Sequence, residues 1–203
     1  MSDIISSILE IITITGRIFA ILNPISVIPT FLSLTSDIPE SLRNKITRNS
    51  YIAILIMTLL LAFGGNSLLT FFNVDIASIQ IGGGILLLAI SLEMLGGMPR
   101  TKMLESYDEI AIVPIATPLL VGPGTMTTII VLSATTPILY LVISILISTT
   151  LAYLVLRFSS ILIGIFGKNG IRAFGRFMSI IIAAFAAQLL YSGITVWIKS
   201  WGL

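Results

Sequence analysis

Cysteine and histidine are both missing from this 203-residue chain. Their absence removes disulfides, thiolate nucleophiles, and imidazole bases or metal ligands, and with them most enzyme mechanisms. Charge is scarce too: 10% of residues are Asp, Glu, Lys or Arg, against about a quarter in soluble domains. The apolar runs lack the strict alternation of a barrel strand. The first fifteen residues hold Asp3 and Glu10 but neither a basic cluster nor a small-residue cleavage signal, so they read as part of a permanent first helix.

Apolar length is what the chain does have. Hydrophobic residues make up 56% of it, and the mean hydropathy is +1.10. A helix needs about 20 residues to cross about 30 Å of hydrocarbon, and six spans are expected. They run from Ile4 to Leu34, Tyr51 to Phe72, Ile76 to Leu95, Ile110 to Ser133, from the turn ending at Pro137 to near Phe158 or somewhat later, and from a lead-in at Gly167 to Arg176 as far as Trp197. The first would rise roughly 46 Å as one helix, so it must tilt, break or begin at the interface. Polar connections separate the spans at Ser36 to Asn49, Asn73 to Asp75, Gly96 to Glu109 and Ala134 to Pro137. Gly82-Gly83-Gly84 gives the third span a close-packing face.

Two stretches stand out. Asn23-Pro24-Ile25-Ser26-Val27-Ile28-Pro29-Thr30 is echoed 94 residues later by Thr117-Pro118-Leu119-Leu120-Val121-Gly122-Pro123-Gly124. A shift of 95 lays Ile76 on Ile171, Ala89 on Ala184 and Glu93 on Gln188. The expected fold is an all-α membrane protein, a single transmembrane domain over residues 1–203. Its six transmembrane helices form two three-helix repeats, about 1–97 and about 98–203, with helices 1 and 4 interrupted by the Pro/Gly motifs. Three crossings per half would put the second repeat into the membrane inverted. Arg43, Lys45, Arg48, Arg100, Lys102, Lys168, Arg172 and Arg176 fall on one side, which should be cytoplasmic, leaving both termini outside and Trp197 and Trp201 as outer anchors.

A proline in a helix removes one donor and clashes with the carbonyl four residues back. Pro24 and Pro29 free the carbonyls of Ala20 and Ile25; Pro118 and Pro123 free those of Pro114 and Leu119. Such groups cost several kcal/mol in hydrocarbon unless they face protein or a wet cavity. New helix starts are expected after the second proline of each motif, with amides near Thr30-Phe31 and Gly124-Thr125-Met126 carrying partial positive charge. The candidate binding residues are therefore Asn23, Pro24, Ser26, Pro29, Thr30, Thr117, Pro118, Gly122, Pro123, Gly124 and Thr125, with Thr127 and Thr128 as further hydroxyls. Carboxylate-holding amides beside ammonium-accepting carbonyls suit a small, overall neutral zwitterion. Glu93 and Gln188 are candidates for ion or proton coupling; an interfacial acid and a helix–helix amide are the plain alternatives. Arg17 reads as interfacial if the crossing starts near Gly16. The bland reading of the motifs is a pair of proline kinks.

These two motifs, with Glu93-Met94-Leu95 after Gly83-Gly84, resemble the MarC family of six-span membrane proteins, whose members include small neutral amino acid transporters of the SnatA type within a group that also holds the lysine exporter. The resemblance implies a secondary transporter for solutes of the glycine, alanine and serine class, coupled to H+ or Na+, with no cofactor or metal. It implies a multi-pass protein of the plasma membrane and no enzyme activity. The expected partners are the amino acid and the lipid bilayer, with a homo-oligomer left open and no nucleic acid. An ion channel or passive pore using the same carbonyls is the alternative. An intramembrane enzyme would have only Glu93 to work with, and a ligand-free structural subunit would leave the broken helices unexplained.

Overall fold

The computed structural model describes residues 2–35, 39–96 and 120–200. The described residues form α1 (Ser2–Leu22), α2 (Pro24–Leu34), α3 (Glu40–Phe71), α4 (Ile76–Leu95), α5 (Pro123–Thr135), α6 (Ile138–Arg157) and α7 (Ser159–Ser200), and contain no strand. Five stretches among them are long and apolar enough to cross a membrane: Ile4–Leu34, Glu40–Phe71, Ile76–Leu95, Ile138–Arg157 and Ser159–Lys199. The connection after Gly96 and the start of the expected fourth span, with Thr117, Pro118, Arg100 and Lys102, lie outside the described residues, as does Trp201.

Two expected connections are helical instead. α3 begins at Glu40, directly after Pro39, because Glu40 to Ile46 holds good helix formers and no Gly or Pro. Its 32 residues rise about 48 Å, so the turns carrying Arg43, Lys45 and Arg48 extend past about 30 Å of hydrocarbon. Residues 168–176 are likewise helical, but Gly167, at φ 67° and ψ 168°, separates them from the helix before, so that α7 is two helices meeting at a kink there, in a conformation glycine adopts without a Cβ penalty.

The molecule is apolar outside and more polar within. Ile4, Ile8 and Ile12 on α1 and Ile56, Leu60 and Phe63 on α3 are exposed, while Thr58, Ser144, Ser148 and Thr149 are buried. In water such a surface would be an aggregation hazard; in lipid it is the solvent-facing side. Between helices already in lipid the hydrophobic effect contributes little, and cohesion comes from close packing and interhelical hydrogen bonds. The α1–α6 seam illustrates the second. Ser7 Oγ and Tyr140 Oη are 2.7 Å apart, Ser144 Oγ donates to the Ile11 carbonyl at 3.1 Å, and Ser148 Oγ donates to the Thr15 carbonyl at 3.0 Å.

The α4–α7 seam illustrates the first. A Cβ at Gly84 would lie 2.7 Å from Leu190 Cγ and 3.0 Å from the Ala186 carbonyl, and one at Gly193 would lie 2.8 Å from the Ala77 carbonyl. Gly82 faces open space, so the expected glycine face is carried by Gly83 and Gly84. Gly193→Ala should cost about 1–3 kcal/mol, since the backbone it meets cannot yield. Gly82→Ala should be neutral or slightly stabilising. Thermal unfolding in detergent measures both.

The same seam is tied at its end by Asp75, the N-cap of α4, which accepts the Ser78 amide at 2.6 Å. That amide, the Ser78 hydroxyl and the Trp197 indole hold the Asp75 carboxyl below its ordinary 3.8. A depressed carboxylate stabilises the fold above its unfolded pKa, and that stability is lost as pH falls through the lower folded value. The unfolding midpoint should therefore fall on acidification below about pH 4, and Asp75→Asn, which keeps a capping side chain, should flatten that part of the profile.

Candidate functional site

The first motif is broken at its start. α1 ends at Leu22, α2 starts at Pro24, and Asn23 between them sits at φ 46°, ψ 54°. Asparagine visits this left-handed region more readily than most L residues, and Pro24 at the first helical position needs no partner for an N–H it lacks. Asn23 is 2% exposed. Its Oδ1 accepts a hydrogen bond from Ser26 Oγ at 2.9 Å, and its Nδ2 lies 3.6 Å from Met94 Sδ. The expected new start after Pro29 does not occur: α2 runs through Pro29 to Leu34. Thr30 and Phe31 therefore lie within a helix and offer no free helix end. With the chain already broken at Asn23, Pro29 costs one bond, to the Ile25 carbonyl, in a helix that packs on α6 and α7; tertiary packing outweighs that loss.

In the second motif a helix starts at Pro123, with Gly122 as an extended N-cap at φ −82°, ψ 178°. Met126 N donates to the Gly122 carbonyl at 3.0 Å, so the Gly124 and Thr125 amides precede the first bond of the helix. Thr125 Oγ1 donates to the Leu120 carbonyl at 2.9 Å, which ties down the stretch before the helix. Gly124 is buried because α5 begins hard against α4: a Cβ there would strike the Leu87 side chain and lie 3.3 Å from Ile90 Cδ1.

The Asn23 break and the start of α5 converge. Leu22 and Val27 flank the first, Leu120 and Val121 precede the second, and all four share one buried cluster. On α4, Leu87 packs with Ile21 and faces Gly124, and Met94 meets Asn23. The segment from Leu87 to Met94 thus lies beside the Asn23 break and the start of α5. Glu93 is exposed on that segment and does not share Met94's contact. Gln188 is elsewhere, at the level of Gly84, whose neighbours on α7 are Ala186 and Leu190, about 13 Å of helical rise from Glu93; the two proposed coupling residues are not brought together.

Gln188 instead lines a cavity of about 250 Å³ between α1, α4, α5 and α7, with Arg17, Gln80, Thr128 and Ser192. Gln80 and Thr128 are each 7% exposed, and Gln80 Oε1 and Thr128 Oγ1 have no hydrogen-bond partner among the described residues. Sequence reading missed Gln80; the available signal was the one amide of this span, set between Ile79 and Ile81. Arg43, taken as a topology signal, also donates from Nη2 to the Thr35 carbonyl at 2.8 Å, where a guanidinium complements the C-terminal end of α2.

A lipid-facing apolar surface, glycine-packed seams and irregular backbone enclosed by neighbouring helices define a multi-pass helical integral membrane protein. The model of the family described as MarC family integral membrane protein matches residues 8–198, and the chain belongs to that family. A UPF0056 membrane protein of Methanocaldococcus jannaschii is 36% identical over 190 residues, covering 88% of this chain and 93% of the relative. The UPF0056 inner membrane protein YhgN of Escherichia coli K12 is 31% identical over 195 residues, covering 94% and 98%. No solved structure matches the chain.

Proposed function

We propose that the chain is a secondary transporter for small neutral amino acids, coupled to H+ or Na+, and that it moves its solute without chemistry. The observation that carries this reading is the convergence on α4 of the buried break at Asn23 and the helix start at Pro123. Interrupted helices meeting inside a bundle are the usual way transporters place backbone groups on a solute. In this scheme the Gly124 and Thr125 amides, at the positive end of α5, hold the carboxylate. The Ala20 carbonyl, which Pro24 leaves without its donor, takes the ammonium or the ion. The Asn23 and Ser26 side chains are bonded to each other, so the first motif contributes backbone more than side chains.

The inverted repeat belongs to the same proposal. Its support is the pairing of helices: α2 on α6 and α7 is matched by α5 on α3 and α4, while α3–α6 and α4–α7 are their own counterparts. Both termini are assigned to the outer side by the basic residues. Sealed liposomes holding the purified protein should accumulate glycine, alanine or serine only under an imposed ion gradient. Absence of uptake and exchange for all three would refute the transporter, and non-saturating flux would replace it with a pore.

A further inference from the structure

The cavity of Arg17, Gln80, Thr128 and Gln188 lies beyond the breaks, toward the end of the bundle that holds Asp75 and Trp197. Its position follows from the helices that enclose it. Arg17 precedes the Asn23 break on α1, Thr128 stands one turn past Gly124 on α5, and Gln80 lies near the Asp75 end of α4. Ile21, two residues before Asn23, also lines it. The cavity therefore borders the interrupted region.

Gln80 and Thr128 both line this space, and each carries a buried polar atom without a partner among the described residues, which would forfeit about 1–3 kcal/mol if left so. A cavity of about 250 Å³ has room for about eight waters at about 30 Å³ each, and is smaller than the roughly 300–1,000 Å³ of sites for drug-sized ligands. Its chemistry is also asymmetric. Among the described residues Arg17 is the one charged member of the lining, and it presents a planar donor fork suited to a carboxylate. Gln80 Oε1 can only accept, and Thr128 Oγ1 can accept as well. Ile21, Leu132 and Phe185 make up part of the remaining wall, leaving apolar space for a short side chain.

We propose that this cavity is a binding site for a small zwitterionic amino acid, distinct from the interrupted helices, with the carboxylate on Arg17 and the ammonium on Gln80 Oε1 and Thr128 Oγ1. The inference rests on the transport reading for the solute's route and on the cavity's own atoms for its chemistry. The solute waits there before or after passing the breaks.

Equilibrium binding of labelled L-alanine to the whole protein in lipid nanodiscs tests this. Alanine should bind saturably, and propionate, which lacks the ammonium, and L-alaninamide, which lacks the carboxylate, should each compete at least about tenfold more weakly. Gln80→Met and Thr128→Val should each weaken alanine binding about tenfold or more. Both remove an unsatisfied buried atom, so the unfolding midpoint should hold or rise, which separates lost binding from lost folding. Arg17→Gln should narrow the gap between alanine and alaninamide. Unchanged alanine affinity in both Gln80→Met and Thr128→Val, or no saturable binding to the parent protein, overturns the assignment. Retained binding without uptake in liposomes leaves the cavity site standing and removes the transporter; normal uptake with unchanged binding in the two variants does the reverse.

Discussion

Asn23→Val should abolish amino acid uptake and lower the unfolding midpoint, whereas Asn23→Gly should keep most of both. At φ 46°, ψ 54° an L residue is strained by about 1–2 kcal/mol, and a β-branched one by more, because its Cβ crowds the following carbonyl. Valine also deletes the acceptor for Ser26 Oγ, a loss of about 1 kcal/mol. Together these come to about 2–4 kcal/mol, enough to shift the backbone at the break. Glycine loses only the hydrogen bond and keeps the left-handed turn. Uptake in proteoliposomes, normalised to inserted protein, should fall more than tenfold for valine and no more than a few-fold for glycine. If glycine is as inactive as valine, the Asn23 side chain itself contacts the solute, and the backbone role assigned here is wrong.

The second large effect is expected at Gly124. A valine there drives its side chain into Leu87 and toward Ile90. The atoms met are the ends of flexible side chains, so the fold should survive at an overpacking cost of about 1–3 kcal/mol. The start of α5 would move off α4, however, and with it the Gly124 and Thr125 amides. A displacement of about 1 Å in a positioning group is enough to cost a site most of its effect. Uptake by Gly124→Val should therefore drop at least tenfold, beside a Gly82→Ala control that transports normally. Normal uptake by Gly124→Val would remove the α5 start from the site.

Much of the architecture was legible because lipid imposes simple rules. α4 occupies Ile76–Leu95, the bounds expected from its apolar run, since Asp75 caps one end and glycine follows the other. α5 begins at Pro123 because a proline preceded by glycine has few other places in a helix. The connection before Tyr51 was misjudged for a related reason: Glu40 to Asn49 is polar, and polarity marks the edge of the bilayer, not the end of a helix. α3 simply continues into the aqueous layer.

The sequence by itself determined that this is a lipid-facing helical chain, and marked two places where a helix could not run unbroken. Tertiary structure decided which proline breaks its helix. Pro24 and Pro29 both forbid one hydrogen bond, and the choice fell to Asn23, which tolerates the left-handed turn and is sealed there by Ser26 and Met94. It also decided that Gln80 and Thr128, about fifty residues apart in the chain, would face one cavity with Arg17. Periodicity assigns a residue to a face of its own helix. Only the packing of α1, α4, α5 and α7 against one another determines which faces enclose a common space.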